Sequence, residues 1–125
     1  MQRILIIEDD EDIARALQIR LEAAGFSTTQ VHDAVQAAPA VQQGSPDMIL
    51  LDYSMPGGNG LEVARRIRAL PEGRSIPITF LTAYREPGVR AAIEREGYHC
   101  IEKPYDSREL VGHIRDELTP GAEAS

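Results

Sequence analysis

The chain has 125 residues, enough for one domain around one core and too few for two of ordinary size. Apolar residues make up 42% and charged residues 26%, which excludes a disordered tail, and the longest apolar runs, residues 4–7 and 48–51, fall far short of the roughly 20 residues that a membrane-crossing helix needs. Thirteen Lys and Arg against twenty Asp and Glu leave a net charge of −7, which argues against nucleic acid or a membrane as a direct partner and favours cations.

Cys100 is the single cysteine, so no intrachain disulfide can form. Met1, Gln2 and Arg3 run straight into a strand-like segment without a secretory signal pattern, and the expected compartment is the cytoplasm. With no Trp, two Phe and four Tyr, a stacking surface for single-stranded nucleic acid is not expected.

Short apolar runs alternate with longer amphipathic stretches in five pairs, a pattern that predicts parallel strands alternating with helices. The first strand, residues 3–7, is apolar throughout, as a strand covered on both faces must be. A helix follows, with Asp10 as N-cap, Glu11 and Asp12 at its positive end and Gly25 as its stop. Residues 26–31 alternate as a more exposed second strand, and 33–43 read as a second helix interrupted by Pro39. The third strand, 46–52, ends on Asp52 and leads into a Gly-rich loop over 54–60, after which a third helix spans 61–70. Residues 76–82 form the fourth strand, and 87–96 a fourth helix weakened by Gly88. A short last strand, 100–102, precedes a fifth helix in which Asp106 and Glu109 have capping-box spacing. The domain is expected to span residues 1–118, with 119–125 as a fraying tail.

Open parallel sheets place their sites beyond the carboxyl ends of the strands. Glu8, Asp9, Asp52, Thr82 and Lys103 stand there. If the first and third strands are neighbours, three carboxylates crowd together, and at about 4 Å each pair costs a few kcal/mol at intermediate dielectric. A hard divalent cation, Mg²⁺ or Mn²⁺, relieves that repulsion. Beside Lys103 and the Thr82 hydroxyl, such a site suits phosphoryl transfer, with Asp52 as the nucleophile that forms an acyl phosphate. The bland alternatives are a solvated helix start for residues 8–12, a turn residue at Asp52, an ordinary strand threonine at 82 and a surface charge at 103. Five consecutive acids exceed what capping needs, and the joint placement of the five rim residues is what chance does not explain.

In these segments the chain resembles the response-regulator receiver domain of two-component signalling, from Gln2 to about Leu118. ILIIEDDEDI resembles its first strand and acidic pair, MILLDYSMPGGNGLEV its phosphoacceptor strand and loop, ITFLTAY its switch-threonine strand and IEKPYD its Lys-Pro turn. The resemblance implies a flavodoxin-like doubly wound (βα)5 sheet of order 2-1-3-4-5. It implies phosphorylation of Asp52 by a histidine kinase or histidine phosphotransfer protein. Mg²⁺ would be held by Asp9, Asp52, the Ser54 carbonyl and, often through water, Glu8. Thr82 and Lys103 would meet the phosphoryl group, Ala83 would leave an entrance for the donor, and the bond from Lys103 to Pro104 would be cis. Such a domain is a signalling switch that catalyses only its own phosphorylation and dephosphorylation. Its output, through the surface of the fourth helix, fifth strand and fifth helix, would be a protein target, an output domain or a phosphorylation-dependent dimer. No DNA-binding helix pair follows Leu118, as in a stand-alone receiver or one cut from a longer regulator.

Two features depart from or tune that pattern. Cys100 stands three residues before Lys103, where relatives carry an aromatic or His that swings inwards, so the coupling to Thr82 must differ unless a shifted register brings Tyr98 or His99 there. Tyr84 is bulky enough to shield an acyl phosphate from water, which predicts a long-lived phosphoform. Among rivals, an aspartyl phosphatase of the haloacid dehalogenase type requires an Asp where Ser54 stands. An FMN carrier requires a phosphate loop where the five acids stand, and a phosphorylation-independent binding module leaves the rim residues unexplained.

Overall fold

The computed structural model describes residues 1–55, 58–82, 88–103 and 105–118. Ala83, Tyr84, Pro104 and the tail 119–125 lie outside the described residues. The chain runs β1 (Arg3–Ile7), α1 (Glu11–Ala23), β2 (Ser27–Val31), α2 (Ala37–Gly44), β3 (Met48–Asp52), β4 (Ser54–Met55), β5 (Gly58–Asn59), α3 (Gly60–Ala69), a 3-10 turn (Pro71–Gly73), β6 (Ile78–Thr82), α4 (Val89–Arg95), β7 (His99–Glu102) and α5 (Ser107–Leu118). The main sheet has the order β2-β1-β3-β6-β7, and all four of its pairings are parallel. Counting only these five strands, the order is the expected 2-1-3-4-5.

The central strands β1, β3 and β6 are buried almost end to end because side chains on both faces are covered. On one face Ile4, Ile6, Met48, Leu50, Leu81 and Ile101 pack with Leu17 and Leu21 of α1 and Leu110 and Ile114 of α5. On the other, Leu5, Ile7, Ile49, Leu51 and Phe80 pack with Val41 of α2, Val63 and Ile67 of α3 and Ile93 of α4. The period-two alternation within each strand thus assigns every helix to a face.

Several boundaries differ from the sequence expectation for local reasons. Asp33 forms a turn, its Oδ1 accepting from the Gln36 N–H at 2.9 Å, so α2 begins at Ala37. Pro39 is then the third residue of that helix, where its missing N–H removes no bond within the helix. The Gly-rich loop contains a two-stranded antiparallel ribbon, Ser54 opposite Asn59 and Met55 opposite Gly58. Gly88, at φ 79°, is the residue before α4 rather than a weak point inside it.

Candidate functional site

The sheet order makes β1 and β3 neighbours, with Ile7 opposite Leu51, so the residues that follow them leave the same rim. Of the five consecutive acids, Asp10 caps α1: its Oδ1 accepts from the Asp12 and Ile13 N–H groups at 2.9 and 3.2 Å. Glu11 and Asp12 occupy the first turn, exposed, where the helix dipole favours them. Helix capping therefore accounts for three acids and leaves Glu8 and Asp9.

Glu8 turns inwards and is 2% exposed, whereas Asp9 is exposed and Asp52, at the end of β3, is 8% exposed. One carboxylate oxygen from each of Glu8, Asp9 and Asp52 lies within 4.8 Å of the others. Lys103 Nζ stands 3.8 Å from both Glu8 Oε1 and Asp52 Oδ1, close enough for attraction and too far for a hydrogen bond. Glu8 Oε2 accepts from the Asp10 N–H at 3.3 Å, but the buried Oε1 has no hydrogen-bond partner among the described residues.

The electrostatics follow from that geometry. Burial, then repulsion from Asp52 and contact with Asp9, pushes the Glu8 carboxyl up to about 8. Burial also raises Asp52, against the opposing pull of Lys103, the Glu8 carboxyl and the Ser54 backbone N–H. Both carboxyls are thus pushed towards the protonated form, chiefly by burial. A dication at this spot would offset the crowded negative charge and meet the orphaned Oε1. The all-oxygen donor set fits Mg²⁺, so the residues present suit the group.

The backbone holds these side chains to the rim. Glu8 N–H donates to Val31 O at 3.1 Å, and the imidazole Nδ1 of His32 lies 3.0 Å from Glu8 O. Tyr53 N–H donates to Leu81 O at 3.1 Å, which anchors the turn after Asp52 to β6. Gly60 closes that turn, its N–H donating to Tyr53 O at 2.8 Å. A Cβ there would lie 2.7 Å from Phe80 Cε1 and 3.0 Å from Tyr53 Cα, so only glycine lets α3 start this close to β3.

Thr82 ends β6, is 2% exposed, and pairs in register with Glu102. Lys103 N–H donates to Thr82 O at 2.8 Å, which fixes Lys103 beside it. The Thr82 hydroxyl lies 3.6 Å from Cys100 Sγ. Cys100 is thus the residue that meets Thr82; Tyr98 instead packs edge-on to Phe80 at 5.5 Å, and His99 pairs with Glu117. All six residues singled out in the sequence, Glu8, Asp9, Asp52, Ser54, Thr82 and Lys103, stand at strand ends on this rim. The roles of Gly60 and His32 were not read from the sequence, because both depend on how close neighbouring segments come.

A family model described as the response regulator receiver domain matches residues 4–115. The chain belongs to this receiver-domain family. It is 39% identical over 118 residues to the DNA-binding response regulator MtrA of Mycobacterium tuberculosis, covering 94% of this chain and 50% of that protein. It is 32% identical over 121 residues to the phosphate regulon transcriptional regulatory protein PhoB of Rhizobium meliloti, covering 52% of it. The receiver chain therefore spans about half the length of these curated relatives. Among solved structures, a putative response regulator from Chloroflexus aurantiacus superposes with a TM-score of 0.88 at 27% identity, covering 94% of this chain and 98% of that one. The receiver domain of the sensor histidine kinase PA1611 from Pseudomonas aeruginosa superposes with a TM-score of 0.85 at 30% identity, covering 94% and 97%, and holds magnesium in its active-site cleft. No helix among the described residues is long and apolar enough to cross a membrane.

Proposed function

We propose that this receiver domain accepts a phosphoryl group on Asp52 from a phosphohistidine of a histidine kinase or histidine phosphotransfer protein. The observation that carries this reading is the buried carboxylate pair, Glu8 and Asp52, with Lys103 3.8 Å from both. A carboxylate oxygen of Asp52 attacks phosphorus, the bond to the imidazole nitrogen breaks, and the acyl phosphate remains on Asp52. Glu8, Asp9, Asp52 and the Ser54 carbonyl would hold Mg²⁺, which supplies neutralisation of the carboxylate and phosphoryl charge when bound. Lys103 moves onto a phosphoryl oxygen, offsetting charge that spreads over three oxygens.

The added charge of about −1.5 to −2 then acts as a ligand for the Thr82 hydroxyl, which leaves Cys100 Sγ. Cys100 and Glu102 share β7, and Arg90 Nη1 of α4 donates to Glu102 Oε1 at 2.7 Å, so the movement reaches the surface of α4, β7 and α5. That surface addresses a downstream protein, an output domain or a second copy. Residues 1–118 constitute the receiver unit, and the domain turns over no substrate other than its own phosphoryl group.

Incubation with acetyl phosphate and Mg²⁺, followed by intact mass measurement, tests the reading. A gain of about 80 Da for HPO₃ is expected, absent without Mg²⁺ and absent in Asp52→Asn. An equal gain in the Asp52→Asn protein would refute the assignment.

A further inference from the structure

On the flank of the sheet, away from the acidic rim, β6 and β7 pair with Thr79 opposite His99. Alternation points both residues to the face that α5 crosses, the face on which Leu81 and Ile101 pack with Leu110 and Ile114. The crossing helix brings His113 and, one turn later, Glu117 against them. His99 Nε2 lies 2.9 Å from Glu117 Oε1, the two imidazoles meet edge to face at 5.4 Å, and His113 Nε2 lies 3.0 Å from the fully buried Thr79 hydroxyl. One ligand atom from each of His99, His113 and Glu117 lies within 4.8 Å of the other two.

We propose that His99, His113 and Glu117 form a second cation site, for a borderline dication of the zinc class, that ties the edge strand β7 to α5. Imidazole nitrogens select such ions over Mg²⁺, whereas the all-oxygen rim has the opposite preference, so one small domain sorts two cations by donor type. Two imidazoles and one carboxylate are a recognised three-residue zinc set with an open fourth position. Tetrahedral bonds of about 2.1 Å set neighbouring ligand atoms about 3.4 Å apart, so atoms now within 4.8 Å of one another would close in by no more than about 1.4 Å. Thr79 supplies the supporting contact that ligating histidines need: with Nε2–H donating to its hydroxyl, the other nitrogen of His113 would keep its lone pair for the ion. Because β7 leads directly to Lys103, an ion here would stiffen the strand that carries Cys100 and Glu102 and positions Lys103.

Calorimetric titration of the full chain with ZnCl₂ under saturating Mg²⁺, which keeps zinc off the rim, tests the site. One Zn²⁺ per chain is expected. His99→Ala and Glu117→Gln should each weaken binding at least about tenfold, and Thr79→Val, which removes only the supporting hydroxyl, by about 10- to 100-fold. Circular dichroism checks that each variant is folded, and the exposed His99 and isosteric Glu117→Gln changes keep the test open if Thr79→Val is not. Co²⁺ in place of zinc should give the intense visible bands of a tetrahedral site, lost in His99→Ala. No binding under saturating Mg²⁺, equal binding in His99→Ala and Glu117→Gln, or zinc lost only on Asp52→Asn would each overturn the proposal.

Discussion

At the carboxyl rim, Glu8, Asp9 and Asp52 press three carboxyls together, with Glu8 Oε1 buried and unpartnered among the described residues and a lysine held 3.8 Å away. On the α5 flank, His99, His113 and Glu117 meet at similar distances, yet Thr79 and the contact between His99 Nε2 and Glu117 already engage their polar atoms. The rim is a strained arrangement that a dication and a phosphoryl group would relieve, whereas the flank is a settled one that an ion would only reinforce. Occupancy of the rim should therefore change conformation, and occupancy of the flank should change stiffness.

The sharpest way to break that contrast is to remove the counter-charge. Lys103→Met should slow phosphorylation by acetyl phosphate about 10²-fold, because one aimed cation is lost from the developing phosphoryl charge, and the rate of mass gain measures it. Next in size is Gly60→Ala. Its Cβ would meet Phe80 and the Tyr53 backbone, so urea denaturation should show a loss of about 1–3 kcal/mol. An unchanged midpoint would mean that the turn behind Asp52 adapts freely, and that the rim is not rigidly strained. Smaller, and opposite in sign, is Glu8→Gln. It removes a carboxyl that must take up a proton to be buried there, so the metal-free protein at neutral pH should gain about 1–2 kcal/mol while its affinity for Mg²⁺ falls.

The rim was largely legible in the sequence, since continuous apolar strands such as residues 48–51 locate their own ends and a parallel sheet puts its chemistry there. Asp10 and Asp106 were legible as caps, and both accept the expected N–H groups. The ribbon of β4 and β5 was not, because two-residue strands carry no periodicity. The start of α2 was misplaced because Asp33 serves equally as a cap or as a turn residue, and only tertiary packing decides. The flank cluster could not be read at all: His99 and His113 come together through the register of β7 on β6 and the path of α5 over both. The contact between Cys100 and Thr82 depends on the same register.

The pH dependence of stability distinguishes the two clusters without any ligand. Glu8 has its carboxyl raised from 4.5 to about 8 in the folded state, so the stability it confers is complete below about 4.5 and is lost as pH rises through about 8. His113 is lowered, first by burial, so its contribution is present above the unfolded value of 6.5 and is lost as pH falls through the folded value. Glu117 and Asp116 oppose that lowering and His99 adds to it. The two slopes oppose each other below 6.5, and between 6.5 and 8 the Glu8 slope, coupled to Asp52, is no longer opposed by His113. In EDTA, wild-type stability should therefore decline over that upper window by up to about 1.4 kcal/mol per pH unit, and Glu8→Gln should flatten it. His113→Gln should leave that decline intact and remove the loss on the acid side. A decline that survives in Glu8→Gln would mean that a group other than Glu8 takes up the proton on folding.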